Sequence, residues 1–144
     1  MKEYKIEQIR NIGLVGHGTC GKTSLAEAML FIGGITTRLG KVDEGNTVSD
    51  YSDEEINRKI SISASALNIE HKGVKINFVD MPGYADFIGE VVGGLRVADV
   101  AVILMEATGG IEVGTEMAFR HANGYGTPRC FIINKIEKEH AEFA

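Results

Sequence analysis

Hydrophobic positions in the first part of the chain change from the period of a strand to that of a helix. Residues 9–15, which end in a short apolar run, predict the first strand. Apolar side chains then recur at helical i, i+3, i+4, i+7 spacing and predict a helix over 22–32: Leu25, Ala28, Met29 and Ile32. Two glycines at 33 and 34 are a typical stop for that helix. The chain therefore begins with a predicted strand and helix joined by a short loop.

The later pattern predicts a hairpin followed by more strands and helices. Residues 60–71 and 74–79 are rich in β-forming residues and flank a short break with a glycine, which is typical of an antiparallel hairpin. The nearly unbroken apolar run over 97–105 is typical of a central parallel strand. The other predicted elements are a helix with Ile88, Val91, Val92 and Leu95 on one face, a helix over 112–125 and a strand over 129–133. This order predicts an α/β fold with a mainly parallel sheet and one antiparallel hairpin.

The polar segment over 36–59 interrupts this alternation. A loop of that length in a compact domain is uncommon unless it is functional or disordered. Ser52 and Glu55 have the spacing of a capping box, which predicts one short helix inside the loop.

The stretch GHGTCGKT, from Gly16 to Thr23, lies between the first strand and the first helix and fits the phosphate-binding pattern G-x-x-x-x-G-K-[ST]. Gly16 and Gly21 allow the backbone to turn and to approach an anion closely. Lys22 supplies charge for the outer phosphates, and the hydroxyl of Thr23 can bind Mg²⁺. The motif therefore predicts a P-loop NTPase fold, with a glycine-rich surface turn as the alternative.

Two more polar motifs follow predicted strands, and ligands of open α/β sheets bind at such strand ends. In DMPG, Asp80 suits Mg²⁺ held through water, and the NH of Gly83 suits a γ-phosphate. In NKIE, Asn134 and Lys135 can flank a purine base, and an acid beyond them can accept from the paired NH and amino groups of guanine. The alternative for DMPG is an ordinary turn capped by Asp80. The alternative for NKIE is a strand that runs into a charged helix start.

Composition and charge narrow the class of protein. With 144 residues, 44% of them hydrophobic, the chain forms at most one domain. A net charge of −5 and a pI near 5.4 argue against nonspecific attraction to nucleic acid, and no sequence-specific nucleic-acid binding is predicted. Cys20 and Cys130 make no disulfide framework. Since no signal segment and no apolar run near 18 residues is present, we expect a soluble, cytoplasmic protein with no membrane partner.

Four motifs in this order carry a family resemblance: GHGTCGKT, RKISIS, DMPGY and NKIE. The set resembles the GTP-binding domain of the translational GTPases and is most similar to elongation factor G and elongation-factor-G-like proteins. The resemblance implies binding of GTP and GDP, Mg²⁺-dependent GTP hydrolysis and, for a full-length parent, the ribosome as partner. It also implies that 36–61 is a first switch loop and that 80–98 is a second switch segment.

The motifs and the resemblance together predict the site residues. Those expected on Mg²⁺ are Thr23, Ser61 and Asp80, and those expected to assist catalysis are Lys22, Gly83 and Tyr84. The residues expected to bind the nucleotide and its metal are Gly16, His17, Gly18, Thr19, Cys20, Gly21, Lys22, Thr23, Thr36, Ser61, Asp80, Gly83, Asn134, Lys135 and Glu137. For His17, a side chain that faces solvent is the alternative.

Several residues depart from the family's pattern. Tyr84 stands where the family has a water-positioning His, and because a phenol can orient water but is no strong base at neutral pH, we expect slow hydrolysis. Gly18 and Thr19 replace a β-branched residue and an Asp, which affects control of the attacking water. Ser61 keeps the hydroxyl of the usual Thr. Glu137 keeps the carboxylate of the usual Asp on a longer arm, so we expect weaker guanine selectivity.

The chain ends a few residues after NKIE, before the family's last strand and helix. We therefore expect one incomplete GTP-binding domain over 1–144, with an unpaired sheet edge and marginal stability. A guanine-nucleotide switch or fragment with little or no hydrolysis is the alternative function. A P-loop kinase is a third possibility, in which DMPG and NKIE have no role.

Overall fold

The computed structural model describes residues 2–141, which form a five-stranded sheet flanked by helices. The strands are β1 (Ile9–Gly16), β2 (Ser65–His71), β3 (Val74–Asp80), β4 (Val100–Glu106) and β5 (Arg129–Asn134). The helices are α1 (Lys22–Ile32), α2 (Asp53–Arg58), α3 (Ile88–Val97) and α4 (Val113–Gly124). Short 3₁₀ turns lie at Ile6–Gln8, Val42–Glu44 and Ala85–Phe87. Within the described residues, none of these helices has the length and apolar character needed to cross a membrane.

The strand order in the sheet is β2-β3-β1-β4-β5. β1 pairs in parallel with β3 and β4, and β4 pairs in parallel with β5, whereas β2 and β3 form an antiparallel hairpin. The predicted α/β fold of P-loop type, with a mainly parallel sheet and one hairpin, is confirmed. Because parallel strands end at the same edge, Gly16, Asp80 and Asn134 come to one side of the sheet.

Helices cover both faces of the central strands, because successive side chains of a strand point to opposite faces. Leu14 of β1 packs with Leu30 and Phe78 in the core cluster that contains α1. Its neighbour Val15 packs with Leu95 in the other core cluster, to which α3 and α4 contribute. Burial on both faces explains why β4 is an unbroken apolar run.

The capping box in the polar loop is confirmed. Ser52 is the N-cap of α2, with its Oγ accepting from the NH of Glu55 and its own NH donating to Glu55 Oε2. The predicted hairpin was wrong in beginning at residue 60, and the contacts of Glu55 explain why. Its Oε1 accepts hydrogen bonds from the NH groups of Ile62 and Ser63, so this stretch binds a buried carboxylate instead of a neighbouring strand. β2 begins only at Ser65.

The central strand also begins later than predicted, because α3 continues through Val97. Beyond that residue, the NH of Asp99 donates to the carbonyl of Asn11, and Asp99 Oδ2 accepts from the NH of Asn11. Val97 is largely exposed at the end of the helix, so the apolar run over 97–105 spans two elements.

β5 is an edge of the sheet that residues 2–141 form, and it keeps Phe131, Ile132 and Ile133 exposed. The marginal stability expected from that edge stays a prediction, as does the description of 1–144 as one incomplete domain.

Candidate functional site

The phosphate-binding pattern forms the turn between β1 and α1. Gly16 and Gly21 both have positive φ, 139° and 103°, a conformation that side chains rarely adopt. A Cβ on Gly16 would lie 2.3 Å from the carbonyl oxygen of Leu104, and a Cβ on Gly21 would lie 2.3 Å from Asn134 Nδ2. The two glycines are therefore required for backbone shape and for close packing against the neighbouring strand ends.

Lys22 places a buried positive charge at this turn. Its Nζ donates to the carbonyl oxygens of His17 at 2.7 Å and of Gly16 at 3.2 Å, and the residue is 6% exposed. Among residues 2–141, no carboxylate pairs with this ammonium group. A buried charge without a counterion is costly, so the turn fits a bound anion such as a phosphate.

Oxygen ligands cluster beside Lys22. Thr23 Oγ1 donates to Asp80 Oδ2 at 2.8 Å and lies 3.2 Å from Ser61 Oγ. Burial raises the pKa of Asp80 to about 6, although the Thr23 hydroxyl and the Lys22 charge act to lower it. In the described part of the chain, Asp80 Oδ1 has no hydrogen-bond partner. An unpaired buried carboxylate oxygen beside two hydroxyls fits a hard cation such as Mg²⁺ and its bound water.

Asp50 joins this cluster from the polar loop and is not among the site residues predicted from the sequence. The residue is buried, and its Oδ2 also lacks a hydrogen-bond partner within the described residues. Burial raises the pKa of its carboxyl, and the charges of Glu55 and Glu27 add to the rise. No local pattern separates Asp50 from the other acids of the loop, so no sequence signal could have found it.

The NKIE motif ties the end of β5 to the phosphate loop. Asn134 Nδ2 donates to the carbonyl of Cys20 at 2.9 Å, and Lys135 Nζ donates to the carbonyl of Thr19 at 2.7 Å. Lys135 Nζ also lies 2.7 Å from Glu106 Oε2. Hydrogen bonds from Lys135 and Lys138 lower the pKa of Glu106 to about 2. Lys135 is therefore held beside the phosphate loop by the Thr19 carbonyl on one side and by Glu106 on the other.

These elements enclose a cavity of about 450 Å³. Most of the predicted site residues line it: Gly18, Thr19, Gly21, Lys22, Thr23, Ser61, Gly83, Asn134, Lys135 and Glu137. Further lining residues, which the sequence analysis missed, are Ser24, Val42, Asp43, Asp50, Lys59 and Ile60. The polar loop thus closes one side of the cavity, a role that becomes visible only once the loop has folded over α1.

Thr36 is the predicted site residue that the structure leaves apart from the others. It follows the C-terminal end of α1, where its NH approaches the carbonyl of Leu30. Lys22 and Thr23 lie at the opposite end of that helix, and its 11 residues span about 16 Å. Thr36 is therefore not in the cavity in this arrangement.

His17 and Tyr84 lie beside the cavity rather than in its wall. The NH of Gly114 donates to His17 Nδ1 at 3.3 Å, and His17 Nε2 lies 3.5 Å from Glu112 Oε1. The imidazole therefore joins the phosphate loop to the start of α4. The ring of Tyr84 lies over Gly18 and tilts by 50° from the His17 ring, with 6.3 Å between ring centres.

Cys20 is buried, and burial raises the pKa of its thiol.

Comparison with known proteins agrees with this geometry. A family model of the elongation factor Tu GTP-binding domain matches residues 7–144. The chain is 40% identical, over its whole length, to the mitochondrial ribosome-releasing factor 2 of Scheffersomyces stipitis and covers 17% of that protein. It is 42% identical to the factor of the same name from Debaryomyces hansenii, with 96% of this chain and 16% of that protein covered. The chain thus spans about a sixth of the length of these relatives.

Solved structures give the same fold. A crystal structure of a protein from Thermus thermophilus superposes with a TM-score of 0.90 and 38% identity, covering 92% of this chain and 20% of that one. The elongation factor SelB of Methanococcus maripaludis, solved with a GTP analogue, superposes with a TM-score of 0.67 and 21% identity. The match covers 91% of this chain and 23% of SelB, and at that identity it shows a similar fold alone. The predicted resemblance is confirmed, and the chain belongs to the family of elongation factor Tu GTP-binding domains.

Proposed function

We propose that this chain binds GTP and GDP and, with Mg²⁺, hydrolyses GTP as part of an elongation-factor-G-like translation protein. One observation carries the proposal: a single cavity joins Lys22 and Thr23 at one end to Asn134 and Glu137 at the other. A phosphate chain and a purine base are the two ends of one nucleotide, and the two groups of residues suit them in that order.

The phosphate end is built to receive negative charge. Lys22 lies buried without a carboxylate partner among the described residues. The first turn of α1 lines the cavity, and the start of a helix favours a bound anion. Gly83 also lines the cavity and packs against this turn, since a Cβ there would lie 2.5 Å from both Lys22 Nζ and Gly18 N. These donors would stabilise the charge that develops on a transferring phosphoryl group.

Thr23, Ser61 and Asp80 are the residues that would hold Mg²⁺, with Asp50 beside them. When bound, the ion would neutralise charge on the phosphate oxygens. The protein's own contribution would be to position the ligands of the ion in advance, because the hydrogen bond between Thr23 and Asp80 holds both side chains before the ion binds. The unpaired oxygens of Asp80 and Asp50 would gain partners.

The base end would provide selectivity for guanine. Glu137 would accept hydrogen bonds from the adjacent ring NH and amino group of guanine, a donor pair that adenine lacks. Asn134 and Lys135 are already bonded to carbonyls of the phosphate loop, which holds the two ends of the cavity at a set separation.

Hydrolysis by the chain alone would be slow. Tyr84 does not line the cavity, and its ring lies on Gly18. A phenol can orient a water molecule but would not remove its proton at neutral pH. Catalysis would therefore depend on electrostatics by Lys22, Gly83 and the bound ion, and on a water molecule oriented by the Tyr84 hydroxyl beside Gly18.

Segments 36–61 and 80–98 would act as the two nucleotide-responsive switches. Glu90 Oε2, within the second segment, accepts a 2.7 Å hydrogen bond from the NH of Ala64, which follows the first segment by three residues, so the two segments are linked. Glu27 Oε1 of α1 accepts from the NH of Val48 at 2.6 Å, which fastens the first segment to the helix that follows the phosphate loop. A change at the phosphates would thus reach both segments.

The ribosome is the proposed partner of a longer parent protein. Two relatives at 40% and 42% identity are named ribosome-releasing factors, which supports this assignment. Their names also describe them as mitochondrial, so the predicted cytoplasmic location has no support from them and stays a prediction.

The decisive experiment is a titration of the purified chain with fluorescent GDP, with Mg²⁺ and with EDTA, in competition with GTP and ATP. We expect GTP to compete and ATP to fail, and preference for ATP would overturn the guanine assignment. Turnover of GTP is then measured with and without ribosomes. Binding without turnover under both conditions would overturn the enzymatic part and leave a nucleotide-binding switch.

A further inference from the structure

Gly18 is a glycine for a reason different from that of its neighbours in the phosphate loop. Gly16 and Gly21 have positive φ, whereas Gly18 does not, so its backbone conformation is open to other residues. What excludes a side chain is the ring of Tyr84. A Cβ at position 18 would lie 2.7 Å from Tyr84 Cζ, 2.8 Å from Cε2 and 3.1 Å from the hydroxyl oxygen. At separations below 3.0 Å one of the two groups must shift, so a side chain at position 18 would move the ring.

The contact is made by the outer end of the phenol. That end carries the hydroxyl, whose oxygen would lie 3.1 Å from a Cβ at position 18. Gly18 also lines the nucleotide cavity, so the hydroxyl lies against the backbone that forms the cavity wall. The bare α-carbon of Gly18 thus determines how near the phenol comes to the phosphate end.

Neighbouring residues limit where the ring can go. The His17 ring lies 6.3 Å from the Tyr84 ring, centre to centre, and His17 is itself bonded to Gly114 at the start of α4. On the chain before Tyr84, Gly83 packs so closely on the phosphate loop that its Cβ would lie 2.5 Å from Gly18 N. The peptide that carries Tyr84 therefore cannot retreat without losing its contact with the loop.

We propose that Gly18 is a positioning residue that seats the Tyr84 ring on the phosphate loop. A side chain at position 18 would displace the phenol from Gly18, the residue that lines the cavity. The consequence for catalysis rests on the proposed function: a displaced hydroxyl would no longer orient the attacking water, while nucleotide binding by Lys22 and the loop NH groups would persist.

The test is a double-mutant cycle of Gly18→Ala with Tyr84→Ala, and with Tyr84→Phe as a third background. We expect Gly18→Ala alone to lower the melting temperature by about 4 °C or more and kcat by about 10-fold or more, with KM changed less than about 3-fold. In the Tyr84→Ala background both losses should vanish, because the clashing atoms are gone. In the Tyr84→Phe background the melting temperature should still fall, since the ring remains.

Gly124→Ala serves as the matched control, because Gly124 lies in α4 outside both proposed switch segments, has no positive φ, and has no atom within 4 Å of where a Cβ would lie. It should leave turnover unchanged. Equal losses from Gly18→Ala in all three Tyr84 backgrounds would overturn the proposal, because the effect would then be independent of the ring. If the unaltered chain hydrolyses no GTP with ribosomes present, the proposed function fails, and the melting-temperature cycle still decides whether Gly18 seats Tyr84.

Discussion

Thr23 Oγ1 donates a 2.8 Å hydrogen bond to Asp80 Oδ2 and so joins the start of α1 to the end of β3. Asp80→Asn keeps the shape of the side chain and can still accept from Thr23, but it removes the charge that would attract Mg²⁺. We expect the gain in GDP affinity that Mg²⁺ provides to fall about 10-fold or more, with little change in EDTA. Titration with fluorescent GDP at several Mg²⁺ concentrations measures this. Asp86→Asn, an exposed neighbour, is the control, and an unchanged Mg²⁺ dependence in Asp80→Asn would contradict the assignment.

Glu55 organises the polar loop. Its carboxylate accepts hydrogen bonds from the backbone NH groups of Ser52, Ile62 and Ser63 and is 3% exposed. We expect Glu55→Ala to lower the free energy of unfolding by about 2–3 kcal/mol, because it removes a capping box and leaves part-buried NH groups without their acceptor. Urea unfolding measures the loss, and limited proteolysis should show earlier cleavage near Ser61.

The control for that variant is Glu54→Ala on the same helix. Glu54 is exposed and, among residues 2–141, pairs only with Arg58 across one turn, so its loss should change stability by less than about 0.5 kcal/mol. Similar effects of the two substitutions would mean that Glu55 does not hold the loop.

The ionised side chain of Glu106 stabilises the site, and acid removes this stabilisation. Lys135 and Lys138 lower the pKa of Glu106 from its ordinary 4.5 to about 2, so its stabilising contribution is complete above about pH 4.5 and is lost as the pH falls to about 2. We expect the unaltered chain to exceed Glu106→Gln in free energy of unfolding by about 1 kcal/mol at pH 7, since Lys138 is half exposed. The difference should shrink between pH 4 and pH 2.5 in denaturant unfolding.

An exposed pair provides the comparison for Glu106. Glu116→Gln breaks only a surface ion pair with Arg120 and should have little effect at any of these pH values. A Glu106→Gln difference that stays constant with pH would show that the lysines do not stabilise its ionised form.

Glu137 is expected to read the guanine base. Glu137→Ala should weaken GDP binding by about 10-fold or more and affect inosine diphosphate less, because inosine lacks the amino group that would donate to the carboxylate. Competition titrations with both nucleotides measure this. Glu139→Ala, outside the cavity, should bind both as the unaltered chain does. Equal losses for the two nucleotides would remove Glu137 from base recognition.

Tyr84→His tests why hydrolysis would be slow. An imidazole can exchange a proton near neutral pH, and it lacks the outer ring atoms that lie against Gly18. We expect GTP turnover to rise about 10-fold or more, with GDP affinity within about 3-fold of the original. Single-turnover hydrolysis measures the rate, and an unchanged rate would show that Tyr84 does not limit it.

The sequence by itself determined the order of strands and helices, the phosphate loop and the family. Periodicity and capping are local, so α1 over Lys22–Ile32 and the capping box of Ser52 and Glu55 could be predicted from neighbouring residues alone. The motifs also lie at strand ends, and a parallel sheet must bring such ends together.

Only the tertiary structure decided which side chains meet across the fold. The NH groups after α2 bind Glu55 instead of a strand, Asp50 reaches the cavity, and the ring of Tyr84 covers Gly18. Gly18 and Tyr84 are far apart along the chain, and their contact depends on how β3 and the phosphate loop pack. A local sequence pattern contains no information about such a long-range contact, so the contact could be seen only in the assembled fold.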